Sequence, residues 1–314
     1  MFSAPFTDLD AIKQILPPAV ISGERFKNRS YVWIRTDADG DAPEVPVFAP
    51  TDAVVTGITY FLQPMNRRDG SVAMVDQYIL RLEVSCEVQI RFDHMDRLSP
   101  PLAAVAPAVP VEDTRNAEVQ VRVPVAAGDL LAHTAGTIVA HNWDIIVANS
   151  TVTREFANRQ RYAVAGDLQW LLRTDCAFDY APPALRAQYY ALLVDVAADA
   201  DGCFVMPDTP GAVAGGWFRA PFDPADQFGD PGWALAIATT NGQVRVQGPG
   251  WHVWVSPDAA TWTDPRTVTG EHCYAGQGGY AWLRISADGD RMEVAHGGGG
   301  CPRSMPGGAV TVFR

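Results

Sequence analysis

Residues 77–92 alternate apolar and polar side chains for longer than any other stretch of the chain. Tyr78, Leu80, Leu82 and Val84 fall on one side, Arg81, Glu83 and Ser85 on the other, and beyond Cys86 the pattern runs on through Val88, Ile90 and Phe92. A period of two fits an extended strand with one buried face, so these residues are expected to form one long strand that closes at His94. The run sits in a row of short β-branched segments. Residues 45–61 read as two strands around Asp52-Ala53, and Arg67-Arg68-Asp69-Gly70 as a hairpin turn. Residues 119–125 read as a strand, Ala127-Gly128-Asp129 turns into 130–133, and 143–148 close the set. Short strands separated by turns every eight to twelve residues or so predict a barrel or sandwich.

The flanks read differently. Residues 8–16 are expected to be helical, ended by Pro17-Pro18, and 31–34 to be a strand. The run Asp37-Ala38-Asp39-Gly40-Asp41 is a turn, since Asp and Gly dominate turns and the glutamate that ends a calcium loop is missing. Residues 100–110 are Pro/Ala-rich and aperiodic, an insertion loop. Pro182-Pro183 opens a helix over 184–196, with Leu185, Tyr189, Leu192 and Val196 at helical spacing. From Cys203 onward Gly, Trp and Pro rise, and strands are expected at 233–239, 243–247, 251–255, 280–286, 292–295 and 309–313. Asn241-Gly242 and Asp288-Gly289 supply hairpin turns. The chain therefore divides into a segment 1–30, a β-barrel domain 31–150, a helical connector 151–202 and an all-β domain 203–314: a mainly β protein.

Three pieces of the first barrel carry a family resemblance. Val47-Phe48-Ala49-Pro50-Thr51-Asp52-Ala53-Val54-Val55 resembles a strand-turn-strand element of the lysostaphin-type, LytM-like zinc endopeptidases, which have the duplicated hybrid motif fold. Phe92-Asp93-His94-Met95 resembles the strand end that carries a histidine in that family, and Val125-Ala126-Ala127-Gly128-Asp129-Leu130-Leu131 a later turn. The order of the pieces matches too, and together they span about a third of the chain. The resemblance implies a peptidoglycan-endopeptidase fold in which zinc, held by His and Asp of an HxxxD motif and by the second His of an HxH motif, polarises the scissile carbonyl and activates a water.

The donors that this chemistry needs are mostly replaced. His94 is the first histidine of the chain, so no HxxxD precedes it. Where HxH is expected stand Asn142-Trp143-Asp144, which puts Asn142 and Asp144 at the two histidine positions. The resemblance leaves His94 at an acid/base position and Asp144 as one potential oxygen donor. A site with no metal is expected. The alternative zinc sets are His94, Asp144 and His141, or His94 with His141 or His133 and an aspartate of 37–41; a one-residue shift turns His141 to the opposite strand face. The bland reading of His94 is a strand-end histidine that caps by hydrogen bonding. A lipoyl-type carrier needs a lysine at a barrel hairpin, and the two lysines, Lys13 and Lys27, lie outside the barrel.

Composition narrows the partners. A formal net charge of -12 disfavours nucleic acid and anionic surfaces, and no apolar stretch is long enough to be a membrane span. The five cysteines, at 86, 176, 203, 273 and 301, lack CxxC spacing. Cys176 and Cys203 flank the helical stretch and Cys273 and Cys301 flank a hairpin, so four pairable cysteines and one core cysteine fit an oxidising compartment, against the alternative of five buried thiols. The N-terminus has no basic, then apolar, leader pattern; the expectation is an exported protein whose signal peptide is not in this sequence. Two-thirds of the six tryptophans from Trp217 to Trp282 are expected in the core. Exposed ones, Trp251 and Trp254 first and Trp262 next, suit stacking on sugar rings. The leading expectation is a non-catalytic envelope protein whose barrel binds peptidoglycan or another cell-wall glycan or peptide. The alternatives are an active zinc endopeptidase with a rearranged ligand set and a secreted carbohydrate-binding protein.

Overall fold

Alternation builds the N-terminal half. The computed structural model describes residues 2–112, 117–164, 166–194, 202–204, 207–223, 232–240 and 242–314. The main strands of the N-terminal half are β1 (Ile12–Leu16), β2 (Ser30–Ile34), β3 (Val45–Phe48), β4 (Ala53–Asn66), β5 (Val72–Glu83), β6 (Val88–Met95), β7 (Glu118–Val125), β8 (Leu130–Thr134) and β9 (Asn142–Asn149). The large sheet runs β1-β2-β9-β6-β5-β4, each neighbour antiparallel, and β7 adds antiparallel to β4. β3 pairs with β8, and β8 with Arg97–Leu98, as a small second sheet. Val32, Val47, Ile58, Leu80, Phe92 and Trp143 lie in one buried core cluster. The sheet's other face carries Tyr31, Asp144 and Asp93 in a transverse row, because Asp144 pairs with Tyr31 on one side and Asp93 on the other.

Three sequence expectations change here. Residues 77–92 are not one strand. β5 and β6 are a hairpin broken at Ser85–Glu87, where the Ser85 hydroxyl accepts from the backbone N–H groups of Glu87 and Val88. Leu80 faces Phe92 and Leu82 faces Ile90, so the even-numbered face survives the turn, and alternation alone does not reveal the break. Cys86 lies at that turn and is exposed, not a core cysteine. Residues 8–16 are not a helix: Asp8 caps a single 3-10 turn, Leu9–Ala11, and then β1 pairs with β2. Ile12 and Ile15 are fully buried there, and packing of these β-branched side chains favours the strand over the expected helix.

Other expectations hold with small adjustments. The Asp37 carboxylate accepts from the N–H groups of Asp39 and Asp41, a turn closed on itself. Residues 100–110 open with one helical turn, Pro100–Ala103, that buries Leu102. The connector holds α1 (Arg159–Val164), α2 (Gly166–Arg173) and α3 (Pro183–Leu192). α3 ends before the expected Val196: Leu193 leaves the helix and Val194 donates to the Ile15 carbonyl, a bond to β1. Residues 195 and 196 lie outside the described residues, as does Asn241 of the Asn-Gly turn.

The C-terminal half is a nearly closed eight-stranded barrel. Its strands are β10 (Gly215–Phe218), β11 (Trp233–Thr240), β12 (Gln243–Gly248), β13 (Trp251–Val255), β14 (Glu271–Gly276), β15 (Gly279–Ile285), β16 (Arg291–Gly297) and β17 (Val310–Phe313), ordered β13-β12-β11-β10-β17-β16-β15-β14. Sequence patterning does not pick out β10 and β14. The two ends meet where Trp254 and Gln277 exchange backbone hydrogen bonds. Gly276 permits this approach: a Cβ there would sit 2.1 Å from the Trp254 carbonyl oxygen. Of the six tryptophans, Trp217 and Trp233 are buried, while Trp251, Trp254, Trp262 and Trp282 are half-buried, fewer in the core than expected. Disulfides join Cys176 to Cys203 and Cys273 to Cys301. A third core cluster joins Ile21 and Phe26 to Tyr162 and Leu168 of the connector and to Phe218 and Trp233 of the second barrel.

Candidate functional site

The site forms where β6 ends against β9. In a regular strand, Asp93 and His94 point to opposite faces. His94 has φ +69°, a left-handed conformation that is strained for a non-glycine residue. This turn brings the His94 ring to the side of Asp93 and Asp144: one donor atom from each of the three lies within 4.8 Å of the others. Asp93, His94 and Asp144 are 0%, 6% and 1% exposed. Two carboxylates facing each other across a strand pair and shielded from water repel one another, so they need cations.

Arginines supply them. Arg29 Nη1 lies 2.7 Å from Asp144 Oδ2 and 3.7 Å from Asp93 Oδ2, and Arg91 Nη2 lies 3.3 Å from Asp93 Oδ2. Two negative and two positive charges make the cluster electrically neutral when His94 is neutral. Burial pulls the Arg29 guanidinium toward deprotonation, but the carboxylates of Asp144 and Asp93 outweigh it and hold its pKa above the ordinary value. Burial raises the pKa of the Asp144 carboxyl, against the pull of Arg29 and His94. Tyr31, beside Asp144, is pushed up to about 12, mainly by burial and then by that carboxylate. Among the described residues, Asp144 Oδ1 has no hydrogen-bond partner.

A second layer orients His94. Its Nδ1 lies 2.6 Å from Gln77 Oε1, and Gln77 Nε2 lies 3.5 Å from Asp96 Oδ1. With its amide nitrogen on the carboxylate, Gln77 presents its oxygen to the ring, so Nδ1 donates. The Nε2 atom then faces Asp144 Oδ2 at 3.7 Å, too far for a hydrogen bond. The His94 N–H donates to Asp93 Oδ1, and its carbonyl accepts from the Thr134 hydroxyl.

His94 and Asp144 thus come together, whereas the other expected residues stand apart. The Asn142 side chain accepts from the Thr137 hydroxyl at 2.8 Å. His141 Nε2 is 3.5 Å from Arg68 Nη2, and His133 pairs along β8 with Pro46 and Arg97. Asp37, Asp39 and Asp41 lie in their own turn and are not part of the cluster. Trp251 and Trp254 are on β13 of the second barrel. The Trp251 ring stacks on His296 at 4.2 Å, and Trp254 lies under the Arg245 guanidinium at 5.3 Å. Sequence reasoning misses Asp93, Gln77 and Arg29. Asp93 is signalled only by its place beside His94, Gln77 by its place in the alternating run, and Arg29 by nothing.

Chemically, the cluster offers one imidazole nitrogen and two carboxylates to a cation, and a guanidinium already lies against both carboxylates. The histidine-and-aspartate donor set that the endopeptidase resemblance implies for zinc is not reproduced here. Compared with known protein families, curated proteins and solved structures, the chain matches none.

Proposed function

We propose that this chain is a non-catalytic, exported envelope-type protein, in which a LytM-like barrel serves as a binding or scaffold module for peptidoglycan or another cell-wall glycan or peptide. The observation that carries this reading is Arg29. Its guanidinium pairs with Asp144, which stands where the resemblance puts a zinc-binding histidine, and with Asp93 beside His94. Zinc hydrolysis needs an open coordination position and a bound water. Guanidinium supplies charge, but it has no vacant orbital for a substrate oxygen and does not activate water. Two disulfides support an oxidising compartment. No helix among the described residues is long and apolar enough to cross a membrane. The test is to incubate purified protein with isolated cell-wall sacculi, with and without added zinc. It is expected to sediment with the sacculi and to release no soluble fragments. Zinc-dependent release that disappears in His94→Ala would overturn the reading.

A second reading is an active zinc endopeptidase with a rearranged ligand set. It is favoured by the grouping of Asp93, His94 and Asp144 and by the Gln77 contact that leaves Nε2 facing Asp144. It requires chelator-sensitive cleavage of short glycine- or alanine-containing peptides.

A further inference from the structure

We propose that Arg29 is the resident cation of the Asp93–His94–Asp144 cluster, and that these three side chains become a divalent-metal site when its guanidinium is withdrawn. The inference rests on the reading of the wild-type barrel as metal-free, and it adds a ligand set that the endopeptidase resemblance does not imply.

Four observations support it. The donors are of the right kind for zinc or cobalt: one imidazole nitrogen and two carboxylates, which leave a fourth tetrahedral position to water. The His94 Nε2–Asp144 Oδ2 separation of 3.7 Å is near the roughly 3.4 Å between neighbouring donors of a tetrahedral zinc ion with bonds of about 2.05 Å. Gln77 Oε1 accepts a hydrogen bond from Nδ1–H, the arrangement by which a second layer fixes a ligating histidine. The buried Asp144 Oδ1 has no hydrogen-bond partner among the described residues, so this carboxylate has bonding capacity that Arg29 does not use.

Arg29 is also the cation of the cluster that is not anchored on a facing strand, whereas Arg91, 26% exposed, belongs to β6. The Arg29 side chain is 19% exposed, against 0% for Asp93 and 1% for Asp144, and it comes from the segment before β2, not from the facing strands. Arg91 remains on Asp93, so removing Arg29 leaves the cluster one positive charge short. A divalent ion, with one water-derived hydroxide or a neighbouring anion, restores the balance.

The experiment compares wild type, Arg29→Ala, Arg29→Lys and Arg29→Ala/Asp144→Asn. Each is titrated with cobalt(II) and followed by its visible absorption, and thermal unfolding is measured with and without zinc. Arg29→Ala is expected to show the intense bands of low-coordinate cobalt, to bind at least about tenfold tighter than wild type, and to gain thermal stability with zinc. Arg29→Lys, which keeps the positive charge, and the double variant, which loses a donor, are expected to do neither. If Arg29→Ala folds poorly by itself, it is refolded with zinc and with magnesium in parallel; recovery with zinc alone supports the proposal, and no recovery with zinc overturns it. An Arg29→Ala protein that folds and takes no metal, or a double variant that binds as well as the single one, refutes the three-donor assignment and leaves the functional reading standing. A tightly held equivalent of zinc in wild type defeats both the functional reading and the role of Arg29.

Discussion

At the scale of residues, stability near His94 depends on charges balanced out of water. Arg29→Met leaves the Asp144 carboxylate buried opposite Asp93 with its closest cation gone. The expected loss is about 3–5 kcal/mol in urea unfolding at neutral pH. Asp96 tests the neighbourhood through pH. Burial raises the pKa of its carboxyl, although the Ala135 N–H and Gln77 pull the other way. A raised folded value means that the folded protein holds the proton more tightly than the unfolded chain. The stabilisation from the protonated form is therefore complete below about pH 4 and is lost as pH rises through the folded value. Wild type is expected to lose stability relative to Asp96→Asn as pH climbs above about 4, measured by urea unfolding across a pH series; a slope of the opposite sign contradicts the assignment. Site legibility follows from the same contacts. His94 is readable because it closes a short run that resembles a strand end of the endopeptidases, and Asp144 because it stands where that resemblance expects the second histidine of HxH. Arg29 is not, because its partner Asp144 is 115 residues away and nothing local signals a loop folding back onto a sheet.

At the scale of elements, hairpins hold the fold, and their turns are where sequence reading both succeeds and fails. Arg67-Arg68-Asp69-Gly70 is legible because Gly70 has positive φ and the Asp69 carboxylate accepts from the Ser71 N–H. The β5–β6 turn is not, because an even register carries the apolar face across it unchanged. Ser85→Ala removes the acceptor for two turn N–H groups, and a loss of about 1 kcal/mol is expected by thermal or urea unfolding. β1 is misread for a related reason: the Ile12 and Ile15 spacing suits a helix, and only the pairing with β2 decides for a strand. In the second barrel, Gly276→Val forces a side chain into the seam between β13 and β14. A loss of about 2–4 kcal/mol is expected, with faster amide exchange at Trp254 and Gln277 than in the rest of the barrel.

At the scale of the molecule, the mainly β architecture is legible because period-two runs and turn residues recur along the chain. The contact between the halves is not, because Ile21, Phe26, Tyr162 and Trp233 come from segments that share no periodicity. That shared cluster predicts mechanical unity. Wild type is expected to melt in one calorimetric transition, while Trp233→Ala, which removes a large buried ring from the cluster, separates it into two. The functional account reduces to one claim about the intact protein: the positive charge against Asp144 is carried by Arg29 and not by a metal ion. The direct measurement is the metal content of wild-type protein, purified without chelator and dialysed against a mild one. The account requires far less than one equivalent of zinc or any other transition metal per chain; a full equivalent that survives dialysis contradicts it.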